Sequence, residues 1–379
     1  MDFNLNDEQR LIQQTAKEFA EKEIYPHSAL HDEEEKWPAE IHKKAWDLGL
    51  MNITVPEQYG GPGLGCFENV LVTEQMTWGC MGIGVGIMLN ALPTEVLLAG
   101  ANEEQKHTYL GRLVENLEYA SYAVTEPGAG SDVAALQTRA IKRGDEYVLN
   151  GSKVWISNAN HASYFTVLAK TDPAAGHRGM SFFLVERDTP GLTVGNPIHK
   201  LGQKAGFTAE VFLNDVVVPK SALIGEEGEG FKIAMKAFDG SRPMVSAFAV
   251  GLMQRCLDLS LEYAKERKTF GKPIIEHQAI AHKIADMEMR LEAGRLMTYQ
   301  SAWLTDNGKR NTMQASCAKA FTCDSVMWAA TEAVQIYGGF GYSKEYPVEK
   351  LFRDAKVLQI YEGTSEIQRN IIARELANR

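Results

Sequence analysis

The hydrophobic period of this chain changes twice, and that pattern limits the possible folds more than any single motif. Through residue 118, apolar positions recur at three- and four-residue steps, as in Leu11, Ile12, Phe19 and Ile24. Asn6 or Asp7 is placed to cap this first helix and Pro26 to end it. A second helix is expected over 41–48, stopping at Gly49, followed by a Gly/Pro-rich loop over 56–65. Residues 81–98 are almost wholly apolar, with Asn90 the main polar member. They read as one helix that is buried on most sides or lines an apolar pocket.

From about residue 119 the period falls to two. Strands are expected over 147–149, 153–156, 164–168, 180–185 and 210–213. Asn150-Gly151 predicts a tight hairpin turn between the first two, because this pair adopts positive φ at low cost. Pro190-Gly191, Asn196-Pro197 and Asn214-Asp215 punctuate the others. From Gly230 the helical period returns, with helices over 231–265, 276–306 and 311–337 and a last one starting near Thr364. The expected class is α+β, mainly α: an N-terminal helical domain (1–118), an antiparallel β domain (119–228) and a C-terminal helical bundle (229–379).

The net charge of -10 is dispersed along the chain, which argues against nucleic acid or an anionic membrane held by charge alone. The five cysteines, Cys66, Cys80, Cys256, Cys317 and Cys323, have no CxxC spacing. They fit buried thiols in a reducing compartment rather than disulfides or a metal cluster. The stretch from Met1 to Glu8 is acidic and polar, unlike a signal or transit peptide, and no run of about 18 apolar residues stands out. A cytoplasmic protein without a membrane span is expected.

Glu362 sits in Tyr361-Glu362-Gly363-Thr364-Ser365-Glu366, a Gly-flanked turn ahead of a helix. Read alone, it is a solvated charge favoured by the helix dipole. Other stretches change its context. The loop Val124-Thr125-Glu126-Pro127-Gly128-Ala129-Gly130-Ser131-Asp132 offers hydroxyls and glycines for close backbone approach to a ligand. Trp155, beside Ser157, is either core or the flank of a flat ring. Arg267-Lys268-Thr269-Phe270-Gly271 supplies helix-end cations that serve the dipole or clamp a phosphate. Gln335-Ile336-Tyr337-Gly338-Gly339 is an ordinary C-cap signal or a backbone phosphate cradle. No Rossmann fingerprint, P-loop or zinc motif is present.

Taken in order, these stretches resemble the acyl-CoA dehydrogenase family, closest to its medium- and short-chain branch, from Leu5 to Glu375. The resemblance implies a helical domain, a β domain and a four-helix bundle, assembled as a homotetramer. It implies a non-covalent FAD enzyme that oxidises an acyl-CoA to the trans-2-enoyl-CoA and passes electrons to electron-transferring flavoprotein. In that reading Glu362 takes the α-proton. Val124, Thr125, Trp155 and Ser157 border the flavin. Arg267, Thr269, Phe270, Gln278, Gln335, Gly338, Gly339, Thr364 and Glu366 hold the rest of FAD, partly across a subunit boundary. Ser131, Phe238, Asp239, Arg242, Tyr361 and Gly363 border the substrate. The chain departs from many relatives at Lys204, where Arg is usual, at Gly206, where Ser is usual, and at Ser157, often Thr. Lys lacks the planar fork of Arg. These departures leave open a cyclic or branched acyl group, an enoyl-CoA reductase, or an oxidase using O2.

Overall fold

The computed structural model describes residues 4–378. Met1 to Phe3, the start of the acidic N-terminal stretch, lie outside the described residues. Helix α1 (Asp7–Phe19) opens with a reciprocal cap: the Asn6 side chain accepts from the Gln9 N–H at 2.8 Å, and the Gln9 side chain accepts from the Asn6 N–H at 3.1 Å. Pro26 does not end the helical run. The chain continues through a π turn (Ala20–Ile24) and a 3-10 turn (Tyr25–His27) into α2 (Ser28–Glu33). Pro26 falls in the first positions of the 3-10 turn, where its missing N–H costs no hydrogen bond.

Helices α3 (Ala39–Asp47), α4 (Cys66–Gly79), α5 (Met81–Met88), α6 (Ala91–Gly100) and α7 (Glu103–Glu115) follow. The single helix expected over 81–98 is therefore two, broken at Asn90. Asn90 is buried with both ends of its amide bonded. Its Nδ2 donates to Asn52 Oδ1 at 3.0 Å and to the Glu118 carbonyl at 2.9 Å, and its Oδ1 accepts from the Ala120 N–H at 3.0 Å. It is a structural post between elements. Contrary to the sequence expectation, Met81–Gly100 and Gly230–Glu266 are long and apolar enough to cross a bilayer. However, 78% and 83% of their apolar windows are buried inside the protein, as in core helices.

The sheet comprises β1 (Tyr119–Ala123), β2 (Arg139–Arg143), β3 (Glu146–Ser157), β4 (Ala162–Lys170), β5 (Met180–Glu186), β6 (Leu192–Val194), β7 (Thr208–Pro219) and β8 (Leu223–Ile224). Its order is β6-β7-β3-β2-β4-β5-β8, with β1 alongside β4. Most pairs are antiparallel, but β1 runs parallel to β4, and β2 meets β4 in parallel at Arg139 and Lys170. The wholly antiparallel expectation is thus corrected. The β2–β3 hairpin lies between β1 and β4 in the chain and forms the long crossover that parallel pairing needs.

Asn150-Gly151 is not a hairpin turn. The turn is Gly144-Asp145, with Gly144 at φ +64, while Asn150 and Gly151 sit inside β3 at a register shift. There β3 faces a matching irregularity in β7. Asn150 and Asp215 exchange hydrogen bonds of 2.9 and 3.0 Å, and Asp215 has φ +51. Glycine is required at 151 because a Cβ there would lie 2.4 Å from Thr138 Oγ1.

Helix α8 (Gly230–Glu266) leads into a short ribbon, β9 (Lys268–Thr269) and β10 (Lys272–Pro273). Helices α9 (Gln278–Asp306), α10 (Thr312–Tyr337), α11 (Val348–Lys356) and α12 (Ser365–Ala377) complete the described chain. Sequence reading missed α11, nine residues with only Val348, Leu351 and Ala355 marking an apolar stripe. Two large apolar cores result among the described residues, with a small third cluster at Val70, Ala247 and Ala302. One fills the helical layers. The other lies between the sheet, α6, α7 and the start of α8. α8 belongs to both: Ile233, Ala234 and Ala237 pack toward the sheet, and Met244 to Leu259 into the helices. Residues 238–242 therefore sit at the seam, where a ligand can reach both layers.

Candidate active site

The turn carrying Glu362 lies between a 3-10 turn (Val357–Gln359) and α12. Glu362 has φ +55 and Gly363 φ +88. A left-handed non-glycine residue costs about 1 kcal/mol or more, so its surroundings must impose it. Two buried side chains do so. Gln368 Nε2 donates to the carbonyls of Glu362 and Gly363, each at 3.1 Å, and Lys319 Nζ on α10 donates to the Gly363 carbonyl at 2.7 Å. Ser241 Oγ on α8 donates to the Glu362 carboxylate at 3.0 Å. Burial raises the proton affinity of Glu362 above the ordinary carboxylate value. The Ser241 bond and the charges of Arg242 and Lys319 pull it partly back.

Phe238, Asp239 and Arg242 form the wall beside this carboxylate. Arg242 is buried and donates to Asp239 Oδ1 at 2.5 Å; Asp239 Oδ2 accepts from Thr312 Oγ1 at 2.8 Å. The Phe238 ring meets Tyr122 edge-on at 5.7 Å. Burial and the charge of Glu362 raise the Tyr122 phenol well above its ordinary value. Among the described residues, the Tyr122 hydroxyl and Arg242 Nε are buried without hydrogen-bond partners. Buried polar atoms are nearly always paired, so these two mark where polar ligand atoms fit.

Tyr361 ties the Glu362 turn to the loop that carries the departures. Gln203 Nε2 donates to the Tyr361 hydroxyl at 3.5 Å, and the Gln203 N–H to Asp354 Oδ1 at 2.5 Å. Lys204 is directed away, into a 3.0 Å ion pair with Glu35. Gly206 is tightly confined: a Cβ there would lie 3.0 Å from the Gly82 carbonyl.

Val124 and Thr125 leave the end of β1 beside the irregular part of β3. The Val154 N–H donates to the Thr125 carbonyl at 2.9 Å, and buried Lys153 donates to the Val124 carbonyl at 3.0 Å. Trp155 has φ +62 within the register shift between Lys153 and Ile156. Trp155 is 56% exposed. The Ser157 carbonyl accepts from Ser121 Oγ at 2.8 Å. An exposed indole flanked by Thr125 and Ser157 is a platform for a flat heterocycle. Ser131 is exposed further along the loop.

A separate cleft of about 530 Å3 is lined by Arg267, Thr269, His277, Gly338, Gly339 and Phe340 among others. No atom lies within 4 Å of where a Cβ would stand on Gly338 or Gly339, so bare backbone faces open space. Arg267 lies 5.7 Å from the centre of the Phe340 ring. An exposed cation beside bare glycines suits a diphosphate. Phe270 is 97% exposed, and Gln278 and Gln335 are also exposed. Thr364 caps α12 by accepting from the Ile367 N–H at 3.2 Å, and exposed Glu366 follows it in the first turn.

Glu362, Tyr361 and Gly363 are thus brought beside Phe238, Asp239 and Arg242, and Val124 and Thr125 beside the 153–157 segment. Among the described residues, no hydrogen bond or ring contact links the Arg267 cleft to Trp155 or Glu362. The platform, the hydroxyls and the cation-lined glycine cleft fit the three parts of FAD. Sequence reading did not assign roles to Ser241, Tyr122, Lys319 or Gln368. Lys319 had a visible signal, a lone lysine among Ala315, Ala318, Thr322 and Cys323 on a buried helix face.

Comparison with known proteins agrees with this arrangement. The chain matches the acyl-CoA dehydrogenase N-terminal domain over residues 6–116, the middle domain over 121–216 and the C-terminal domain over 228–377. It is 44% identical over 379 residues to a probable medium-chain specific acyl-CoA dehydrogenase 2 of Caenorhabditis briggsae, covering 99% of this chain and 92% of that one. It is 43% identical over 377 residues to the cyclohexane-1-carbonyl-CoA dehydrogenase of Geobacter metallireducens, covering 99% and 98%. Among solved structures, butyryl-CoA dehydrogenase from Megasphaera elsdenii superposes with a TM-score of 0.97 at 38% identity, covering 100% of both chains. The chain belongs to the acyl-CoA dehydrogenase family and is an FAD-dependent oxidoreductase.

Proposed function

We propose that this enzyme dehydrogenates an acyl-CoA thioester to the trans-2-enoyl-CoA, with Glu362 removing the α-proton. The observation that carries this reading is a carboxylate of raised proton affinity, on an imposed left-handed turn, oriented by Ser241 at 3.0 Å. An α-proton beside a thioester is weakly acidic, so its base needs a water-poor site and a pKa near working pH. Tyr122, with the Phe238 ring packed against it, stands near the carboxylate as an apolar flank. Arg242 and Asp239 set the charge around it, and Tyr361 and Gly363 shape the turn. Ser131 borders the substrate further out.

FAD, when bound, supplies the acceptor for the β-hydride. Val124, Thr125, Trp155 and Ser157 hold its flavin end, and Arg267, Thr269, Gly338 and Gly339 its diphosphate, with Thr364 and Glu366 at the edge. The nearly bare Phe270, together with Gln278 and Gln335, suits contact with a second subunit in a homotetramer. We assign electron-transferring flavoprotein as the acceptor, a role in fatty acid β-oxidation, and three domains over 1–118, 119–228 and 229–379.

A second reading, a cyclic acyl group, is favoured by the 43% identity to a cyclohexane-1-carbonyl-CoA dehydrogenase. The test is anaerobic flavin bleaching against straight, branched and cyclic acyl-CoAs, then turnover with electron-transferring flavoprotein against O2. Bleaching by an acyl-CoA with release of its enoyl-CoA, and turnover with the flavoprotein, is expected. An enzyme bleached by no acyl-CoA, or turning over only with O2, contradicts the proposal.

A further inference from the structure

Lys319 lies in the middle of α10 with none of its surface exposed. A buried ammonium is costly, and burial lowers the pKa of this one from the ordinary lysine value. The protein keeps it where a small apolar residue would match its neighbours Ala318 and Ala320. Its hydrogen bond is spent on a single backbone atom, the Gly363 carbonyl at 2.7 Å, directly after the base. Ser365 and Gln359 bond instead to Asp324, one turn along α10, so that helix anchors both ends of the turn.

We propose that Lys319 is a positioning residue for the Glu362 base: its hydrogen bond fixes the left-handed turn and its charge keeps the carboxylate ionised between substrates. The proposal rests on the reading of Glu362 as the base. The groups facing Glu362 come from several elements: Ser241 and Arg242 on α8, Tyr122 on β1 and Lys319 on α10. Around Lys319 stand Cys323 and Asp324 on its own helix and Arg242 on α8. Arg242 is already engaged by Asp239 at 2.5 Å, whereas Lys319 makes no carboxylate ion pair among the described residues. Arg242 pulls on the carboxylate more strongly but shares its charge with Asp239, and Lys319 adds a second cation together with the hydrogen bond that holds the turn.

Removing the cation raises the pKa of Glu362, because the ionised form loses an attraction while the neutral form does not. Removing the donor frees the turn, and a misplacement of about 1 Å costs about a hundredfold in rate. The test compares wild type, Lys319→Met, Lys319→Gln and Lys319→Arg by rapid-mixing flavin bleaching across pH, with acyl-CoA affinity, flavin content and melting temperature measured alongside.

In Lys319→Met, bleaching is expected to slow by about a hundredfold with little change in acyl-CoA affinity, and its pH inflection to rise. Lys319→Gln keeps a donor without the charge. It is expected to show the raised inflection with a smaller loss of rate, and it serves as the test if Lys319→Met loses flavin. Lys319→Arg is expected to restore the inflection. An unmoved inflection in both Lys319→Met and Lys319→Gln overturns the proposal, as does Lys319→Arg behaving like Lys319→Met. A wild-type enzyme that no acyl-CoA bleaches counts instead against the assignment of Glu362.

Discussion

Replacing Ser241 by Ala isolates the bond that orients the base. The Ser241 hydroxyl donates to the Glu362 carboxylate at 3.0 Å, and this bond is made to the charged form. A hydrogen bond to a charged group contributes about 1.5–3 kcal/mol. One pKa unit corresponds to about 1.4 kcal/mol, so its loss raises the pKa of Glu362 by about one to two units. The sign follows from the state stabilised: removing a donor from the carboxylate favours the protonated acid. Because the base works deprotonated, the bleaching rate rises with pH through this pKa, and the whole limb moves to higher pH in Ser241→Ala. Well above the inflection part of the rate returns, because proton abstraction still begins from a carboxylate, while the loss of the orienting bond leaves it below wild type. Anaerobic stopped-flow bleaching at 450 nm over a pH series measures both. An inflection that stays put or moves downward refutes the reasoning.

Arg267→Ala removes the one arginine or lysine lining the glycine cleft among the described residues and is expected to weaken FAD about ten- to a hundredfold, read from the flavin-to-protein absorbance ratio after dialysis; unchanged flavin content contradicts the diphosphate assignment. Gly151→Ala forces a Cβ toward Thr138 Oγ1 at 2.4 Å and Thr138 Cα at 2.8 Å, and is expected to cost about 1–3 kcal/mol in denaturant unfolding. A neutral effect there contradicts the bulge. His42 is fully buried, bonds the Tyr119 hydroxyl at 3.0 Å, and has its pKa lowered to about 3 by burial. The unfolded chain binds its proton first, so stability is lost as pH falls from about 6.5 toward 3. About 2 kcal/mol should go between pH 7 and pH 5, and His42→Leu should show a fall smaller by that amount.

The order of helices, sheet and helices was legible because hydrophobic period is a local property of the chain. Long elements such as α8, α9 and α10 fell within a few residues of expectation. Errors arose where a local signal had two structural uses. Asn150-Gly151 carries turn chemistry, but its partner Asp215 lies 65 residues away, and that pairing makes it a bulge. Pro26 ends an α-helix in isolation, yet fits the first positions of a new turn. Asn90 breaks a helix because of acceptors at Asn52 and Glu118, which no window around residue 90 contains. The parallel β1–β4 pair depends on a crossover, which periodicity does not report.

The site divides in the same way. Glu362, Trp155, Arg267 and Gly338 stand in distinctive strings, and the resemblance implied a role for each. Ser241, Lys319 and Gln368 reach Glu362 and Gly363 from α8, α10 and α12, and only the packed structure shows that they converge on one turn.

The central claim is that Glu362 takes the proton. Glu362→Gln keeps the size of the side chain and its contact with Ser241 but removes the basic oxygen. Mixed anaerobically with an acyl-CoA that bleaches the wild-type enzyme, it is predicted to bind FAD and that acyl-CoA normally while its flavin stays oxidised. Bleaching of Glu362→Gln at the wild-type rate would contradict the account.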